Sequence, residues 1–438
     1  MKQIGVGILG FGTVGAGVAD GLLRNRETFA KRLGVDVVLR KVADLDIERD
    51  RGVAVPREIL TTDAMAAIDD PEVQIVVELI GGTGIAKKLI LAAIERGKNV
   101  VTANKKLLSE SGREIFEAAA KAGVDIYFGA AVGGGIPIIR SLREGLAGNE
   151  IESMKGILNG TCNYILTRMI KEGAAFADVL KDAQKLGFAE ADPTLDIDGW
   201  DTAHKASILA SLAYSIPVDP HAIEVKGIRN LSSVDVVYAD KLGYSVKLLA
   251  QIDRVGSQVA VGVHPTLIPK GHMLAAVNGV FNAVMVHGDL SGDLLFYGRG
   301  AGRAPTASTV VGDIGDIARN LTGGGARYKS AIRYDNEQTL SVMPVGEVRS
   351  EFYVRCMVQD RCGAFGRIGV MFGQHDVSIK MATSHEFLKG YEEEGVIPVV
   401  IRTHMAKTGD VEAAVSDIEQ LDIVKGRPVV MRMVKEQG

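Results

Sequence analysis

Gly10-Phe11-Gly12-Thr13-Val14-Gly15 follows directly on an apolar run, Ile4 to Leu9, and leads directly into a segment of helical character through Leu23. Few short patterns restrict a fold so strongly. Gly10 permits the tight turn from strand to helix, Gly12 lets a pyrophosphate approach the backbone, and Gly15 lets helix and strand pack closely. Phe11, Thr13 and Val14 complete the loop, and the helix N-terminus beyond presents N–H groups to an anion. A plain glycine-rich turn is the alternative, and the strand–turn–helix context disfavours it.

A second strand, Val35 to Val42, ends at Ala43-Asp44. An acid there accepts a ribose 2′-hydroxyl and repels a 2′-phosphate, which favours NAD. Arg40, Lys41, Arg49 and Arg51 lie nearby and offset that repulsion, so NADP stays open. Asp44 also stands further from Gly15 than the usual ~20 residues, which requires an enlarged first helix or loop.

Alternation continues with strand Val73 to Ile80, helix Ile85 to Arg96 stopped by Gly97, and strand Asn99 to Thr102. A helix from Arg113 to Ala122 and a strand from Val124 to Phe128 complete a doubly wound α/β domain over residues 1–130. Ligands bind at strand ends in such sheets, which places Thr102 and Lys105 well for a cofactor. Lys105 reads equally as a solvated loop lysine. Gly133-Gly134-Gly135 before Pro137 exposes backbone amides and carbonyls, to line a site and hold a cation or to act as a hinge. Tyr297-Gly298-Arg299-Gly300-Ala301-Gly302 opens a helix to about Leu321 and returns residues 303–322 to the first domain.

A third feature is KLGFAEADPTLDIDGWDTAHKASILASL, Lys185 to Leu212. Helical character from Gly199, with Asp198 as N-cap, puts Asp201 and Lys205 at i and i+4 on one face. That face runs on to Ile208 and Leu212, so the ammonium borders a core, where its proton can be tuned for acid–base work. An ordinary surface ion pair is the competing reading.

At 438 residues the chain suggests about three domains. Residues 131–302 are α+β in pattern and read as a substrate and dimerisation domain, and 323–350 reads as a linker. Residues 351–438 carry β-α-β-β-α-β, the ferredoxin-like order, as a separate unit. A net charge of −4 without a basic run argues against nucleic acid or an anionic membrane as partner. No apolar run reaches the ~18–20 residues of a membrane helix. Met1-Lys2-Gln3 leads straight into a strand, against a secretory signal. The odd set Cys162, Cys356 and Cys362, without metal spacing, fits a reducing cytoplasm.

With these residues assembled, the chain resembles homoserine dehydrogenases over essentially its whole length, through GILGFGTVGAGV, VVTANKKLL, VGGGIPIIRSL, GILNGTCNYIL, GFAEADPTLDIDGWDTAHKASILA and YGRGAGRAPTAS. The resemblance implies reduction of L-aspartate 4-semialdehyde to L-homoserine with NADPH or NADH, in a homodimer or homotetramer. It implies Lys205 as proton donor to the carbonyl oxygen with Asp201 as its partner, and Lys105 in touch with substrate and cofactor. Glu190 would hold the substrate ammonium, with Asp196 nearby. Gly10 to Gly15 would take the pyrophosphate, and Gly302 would approach the nicotinamide. The tail resembles an ACT domain, which implies L-threonine as effector. A sodium or potassium ion is implied on the backbone carbonyls of Val132, Gly134 and Ile136. Departures are Gly129, where many members carry glutamate, Cys162 in place of threonine, and Cys362 in place of proline. Two rival readings are a thiol-dependent semialdehyde dehydrogenase using Cys162, and a non-catalytic sensor of NAD(H) and an amino acid.

Overall fold

The computed structural model describes residues 2–323, 332–334, 340–384 and 395–435. The chain divides into two compact units. One comprises residues 1–152, 207–220 and 286–339, the other 153–206, 221–285 and 340–438.

In the first unit, valine- and isoleucine-rich runs buried on both faces form a parallel sheet. Its strands are β1 (Gln3–Leu9), β2 (Asp36–Ala43), β3 (Leu60–Thr61), β4 (Ile75–Glu78), β5 (Asn99–Thr102) and β6 (Ile126–Tyr127). The order β3-β2-β1-β4-β5-β6 is that of a doubly wound dinucleotide-binding sheet. Register places Leu9 beside both Ala43 and Glu78, so the ends of β1, β2 and β4 share one edge. The extra spacing before Asp44 is a second helix, Arg26–Leu33, ended by Gly34 at φ 71°. Helix Gly84–Glu95 follows β4. The helix after β5 starts at Lys105 rather than Arg113, because the Asn104 side chain accepts the Leu107 N–H and caps it there. Helix Arg303–Thr322 packs against helix Thr13–Arg24 at Gly17, where a Cβ would stand 2.9 Å from Arg303 Cγ and 3.0 Å from Ala307 Cβ. Ala307, Val310, Ile314 and Ile317 thereby join the core beneath β1.

The second unit is built on a mixed sheet. Its strands include β7 (Ile151–Ile157), β8 (Glu224–Val225), β9 (Tyr244–Val255) and β10 (Gln258–Pro269). β11 (Phe281–Gly288) runs past the unit's boundary at Met285 and β12 (Gly292–Arg299) belongs to the first unit; the second resumes with β13 (Ser341–Val342), β14 (Arg349–Gln359), β15 (Ile379–Thr383), β16 (Val396–Thr403), β17 (Ala406–Lys407) and β18 (Val429–Met433). Spatial order runs β7-β9-β10-β18-β14-β16-β15, with β8 and β13 on β10 and β17 on β14. The tail has the β-α-β-β-α-β order, with helices Ala364–Gln374 and Thr408–Glu419 packed on a core of Phe352, Val354, Phe372, Val399, Ile401 and Val411.

The tail does not stand apart as the sequence suggested. Its last strand, β18, pairs in parallel with β10 through Thr266–Arg432 and Leu267–Met433. A ferredoxin-like sheet leaves an edge of bare N–H and C=O groups, and here β10 covers it. The buried Arg355 of β14 adds a two-pronged contact to Asp235 of helix Ser233–Lys241, at 2.6 and 3.0 Å. Within the expected linker, Ser341–Val342 forms β13 beside β10, whereas residues 324–331 and 335–339 lie outside the described residues. Among the described residues no helix is long and apolar enough to cross a membrane.

Candidate active site

Each unit holds candidate site residues of its own. In the first, Gly10 adopts φ 96°, and a Cβ there would meet the Leu79 backbone at 2.7 Å. Gly15 allows no side chain, since its Cβ would stand 2.0 Å from the Gly10 carbonyl oxygen. Gly12 faces open space and caps helix Thr13–Arg24 without a side-chain acceptor, which suits a phosphate approaching the first turn past Phe11, Thr13 and Val14. Gly302 adopts φ 115° at the N-cap of helix Arg303–Thr322. These positions fit a dinucleotide.

Asp44 is more occupied than its place in the sequence indicated. One carboxylate oxygen accepts the Phe11 N–H at 2.6 Å and the other the Asp46 N–H at 2.9 Å, with Arg51 3.6 Å away. The acid therefore ties the glycine loop to the end of β2.

At the next strand ends a buried network missed in the sequence shapes the crevice. Glu78 accepts the Ile80 and Gly81 N–H groups at 2.9 and 3.0 Å and the Thr102 hydroxyl at 2.7 Å. Thr102 in turn accepts the Asn104 N–H at 3.0 Å, so its hydroxyl serves this network. Lys105 is half-buried as the first helical residue, not a loop lysine.

The three-glycine loop is a packed element rather than a swinging hinge. Gly134 adopts φ 48°, and a Cβ there would lie 2.4 Å from the Gly300 carbonyl oxygen, while Gly135 N–H donates to Arg299. The Ile136 carbonyl accepts the Ile138 N–H at 2.8 Å. At Gly129 the buried Asp313 carboxylate accepts the backbone N–H at 2.8 Å and fills the space a side chain would need, with a Cβ 2.9 Å from its oxygen. Burial pushes the Asp313 carboxyl up to about 7, against the pull of that N–H and of Arg143. The departure at position 129 is thus matched by an acid reaching in from another helix.

In the second unit, Asp201 and Lys205 lie on the first two turns of helix Trp200–Tyr214, before the unit boundary at Ala206. Asp198 does not cap it. Gly199, at φ 89°, makes the entry turn, and Asp198 instead receives Arg229 through Nε at 2.7 Å and Nη2 at 2.9 Å. Asp201 and Lys205 are 7% and 8% exposed, which excludes the surface-pair reading. Lys205 Nζ donates to Asp201 Oδ2 and to the Leu158 carbonyl, each at 2.6 Å. Asn159 Nδ2 joins Asp196, at 2.7 Å, to Asp201, at 2.9 Å. Asp196, Asp201 and Lys205 are therefore one network, and Glu190 stands beside it in sequence on an exposed loop.

In the sequence Asn159 stands only within GILNGTCNYIL, with no role of its own. Its side-chain oxygen caps helix Gly160–Glu172 by accepting the Cys162 N–H, which leaves the amide N–H groups for the two carboxylates. An Asn directly after an apolar strand was the available signal. Cys162 is no nucleophile. It is fully buried, its thiol donates to the Asp196 carbonyl at 3.2 Å, and burial with the nearby acids pushes its pKa well up. Among the described residues no group of His, Cys, Asp and Glu is arranged to hold a metal.

A doubly wound sheet with this fingerprint, joined in one chain to a buried lysine–carboxylate network, defines a nicotinamide-dinucleotide-dependent oxidoreductase. Residues 10–129 match the family model "Homoserine dehydrogenase, NAD binding domain", and residues 137–314 the model "Homoserine dehydrogenase". The homoserine dehydrogenase of Neisseria gonorrhoeae is 45% identical over 433 residues, covering 98% of each chain, and that of Synechocystis is 44% identical over 98% of this chain and 99% of its own. The crystal structure of a homoserine dehydrogenase from Thiobacillus denitrificans, 42% identical, superimposes with a TM-score of 0.92 over 99% of both chains. A hyperthermophilic archaeal homoserine dehydrogenase in complex with NADPH, 28% identical, gives 0.61 over 71% of this chain and 96% of that one. The chain belongs to the homoserine dehydrogenase family.

Proposed function

We propose that the chain catalyses the reversible reduction of L-aspartate 4-semialdehyde to L-homoserine, with Lys205 as the acid. The observation that carries this is the donor set of Lys205. An ammonium has three N–H bonds. Among the described residues two go to Asp201 and Leu158, and the third remains for a carbonyl oxygen. When bound, the reduced nicotinamide supplies the hydride that the carbonyl carbon takes up. Negative charge then grows on the oxygen, and Lys205 stabilises it and delivers the proton, giving the alcohol. Asp201 holds the ammonium in its aim, and Asp196, with Glu190 on the adjoining loop, attracts the substrate's own ammonium group. Lys105, at a helix start beside the β5 end, contacts substrate and cofactor.

Gly10, Phe11, Gly12, Thr13, Val14 and Gly15 hold the pyrophosphate, and Gly302 lies by the nicotinamide. With the Asp44 charge engaged by backbone N–H groups and Arg51, both NADH and NADPH serve, and Arg49 and Arg51 receive the 2′-phosphate. Carbonyls of Val132, Gly134 and Ile136, neutral donors on a tight loop, suit a sodium or potassium ion rather than a divalent one. The tail acts as an ACT-type regulatory domain for an amino acid such as L-threonine, and the enzyme works as a homodimer or homotetramer in the cytoplasm. Lys205→Ala tests the central assignment. It should lower kcat by about 10²-fold or more with unchanged cofactor affinity. A loss of cofactor binding without loss of kcat would remove Lys205 from the acid role.

A further inference from the structure

One short segment of the second unit touches both the tail and the lysine network. At its start, Glu224 Oε2 accepts from Arg432 of β18 at 2.5 Å, and the same guanidinium donates to Thr408 Oγ1 at 3.0 Å. Lys226 joins Glu224, at 2.5 Å, to Glu412 of the tail helix Thr408–Glu419, at 2.8 Å. The Glu224 and Arg432 side chains are each 8% exposed, and His264 packs against the carboxylate at 3.2 Å. Burial and Arg432 depress the His264 imidazole to about 4, so at neutral pH the guanidinium and Lys226 are the cations that hold Glu224.

At its other end the segment presses on the residues that carry the acid network. Val225 lies against Gly199, the turn that opens helix Trp200–Tyr214, where a Cβ would be 3.2 Å from Val225 Cγ1. Gly227 has no room for any side chain, since a Cβ would stand 2.0 Å from the Ile197 carbonyl oxygen and 2.4 Å from Asp198 Cα. Ile228 N–H donates to that same carbonyl at 2.7 Å, and Arg229 grips Asp198. Ile197 and Asp198 directly follow Asp196, whose carboxylate takes the Asn159 amide that also binds Asp201.

We infer that Glu224 and Arg432 are positioning residues for the reaction: by anchoring residues 224–229 to the tail they fix the place of Asp196 and of the Asp201–Lys205 pair. Neither touches a reacting atom. The inference rests on the reading of Lys205 as the acid, and it gives the tail a role in the catalytic rate even without an effector. The contacts are backbone-tight at Gly227 and ion-paired at each end, so a shift of Glu224 moves the helix entry rather than dissipating in side-chain freedom. Misplacement of a catalytic group by an ångström suffices for a large loss of rate.

Arg432→Gln in the full-length protein is the test. The chain has a single tryptophan, Trp200, at the helix entry itself, so its fluorescence reports the turn directly. Expected are a fall in kcat of about tenfold or more, an unchanged KM for the nicotinamide cofactor, a changed acrylamide quenching of Trp200, and substantial recovery in Arg432→Lys. Unchanged kcat and Trp200 quenching, or equal losses in the Gln and Lys variants, would overturn the inference. Should Arg432→Gln fail to fold, Arg229→Gln, at a half-exposed side chain, must lower kcat and alter Trp200 quenching, and a silent outcome there overturns it as well. Full activity in Lys205→Ala would refute the acid assignment instead, while the Trp200 response to Arg432→Gln would still be read independently.

Discussion

Asp313 offers a quantitative test of the first unit. Its carboxyl is nearly inaccessible and raised from 3.8 to about 7, with desolvation as the largest cause. An acid whose folded pKa lies above its unfolded value binds more protons folded than unfolded between the two, so stability falls as pH rises from about 4 and levels off above about 7. Integrating the two titrations gives a loss of about 2–3 kcal/mol between pH 5 and pH 8 from this group alone. Asp313→Asn removes the ionisation and keeps an oxygen to accept the Gly129 N–H. Urea unfolding of wild type and variant across pH 5 to 8, followed by circular dichroism, isolates the term as the gap between the two curves. The variant should gain on the wild type by that amount over the range, even if the amide costs about 1 kcal/mol at every pH by lacking a partner for its N–H groups. Parallel curves would show that Asp313 does not titrate in this window, and the picture of a desolvated acid behind the glycine loop would be wrong.

Two further outcomes follow from the site. Cys162 should resist iodoacetamide in the native enzyme, with full activity retained while the exposed Cys362 reacts; loss of activity tracking Cys162 modification by mass spectrometry would restore the thiol mechanism. Asp44→Ser should raise kcat/KM for NADPH relative to NADH, while raising KM for both because the Phe11 tie is lost; an unchanged ratio would show that the acid is not the selector.

What the sequence made legible was local. Alternating apolar runs and glycine stops located the strands of the first sheet except the two-residue β3, and the i, i+4 spacing put Asp201 and Lys205 on one face. What it concealed depended on partners far along the chain. The pair is buried because Leu158 and Asn159 arrive from another strand end, and their side-chain and carbonyl bonds have no periodic signature. Asp44 looked like a free ribose acceptor because nothing near it in sequence announces the Phe11 N–H. Lys105 could equally be read as loop because the expected helix began only at Arg113, whereas the Asn104 cap decides where the helix begins. The tail looked independent because edge pairing leaves no mark in the sequence of either strand.

That pairing bears on how the protein is made. Val429–Met433 emerges from the ribosome long after the neighbours it must separate, β10 and β14, have been synthesised. Until it arrives, β14 and the Thr266–Leu267 end of β10 lack this partner, whereas the parallel sheet of the other unit has all six of its strands by Tyr127. The slow, aggregation-prone stage of biogenesis therefore belongs to the lysine-bearing unit, and a nascent chain stalled before residue 429 would leave that unit unfinished.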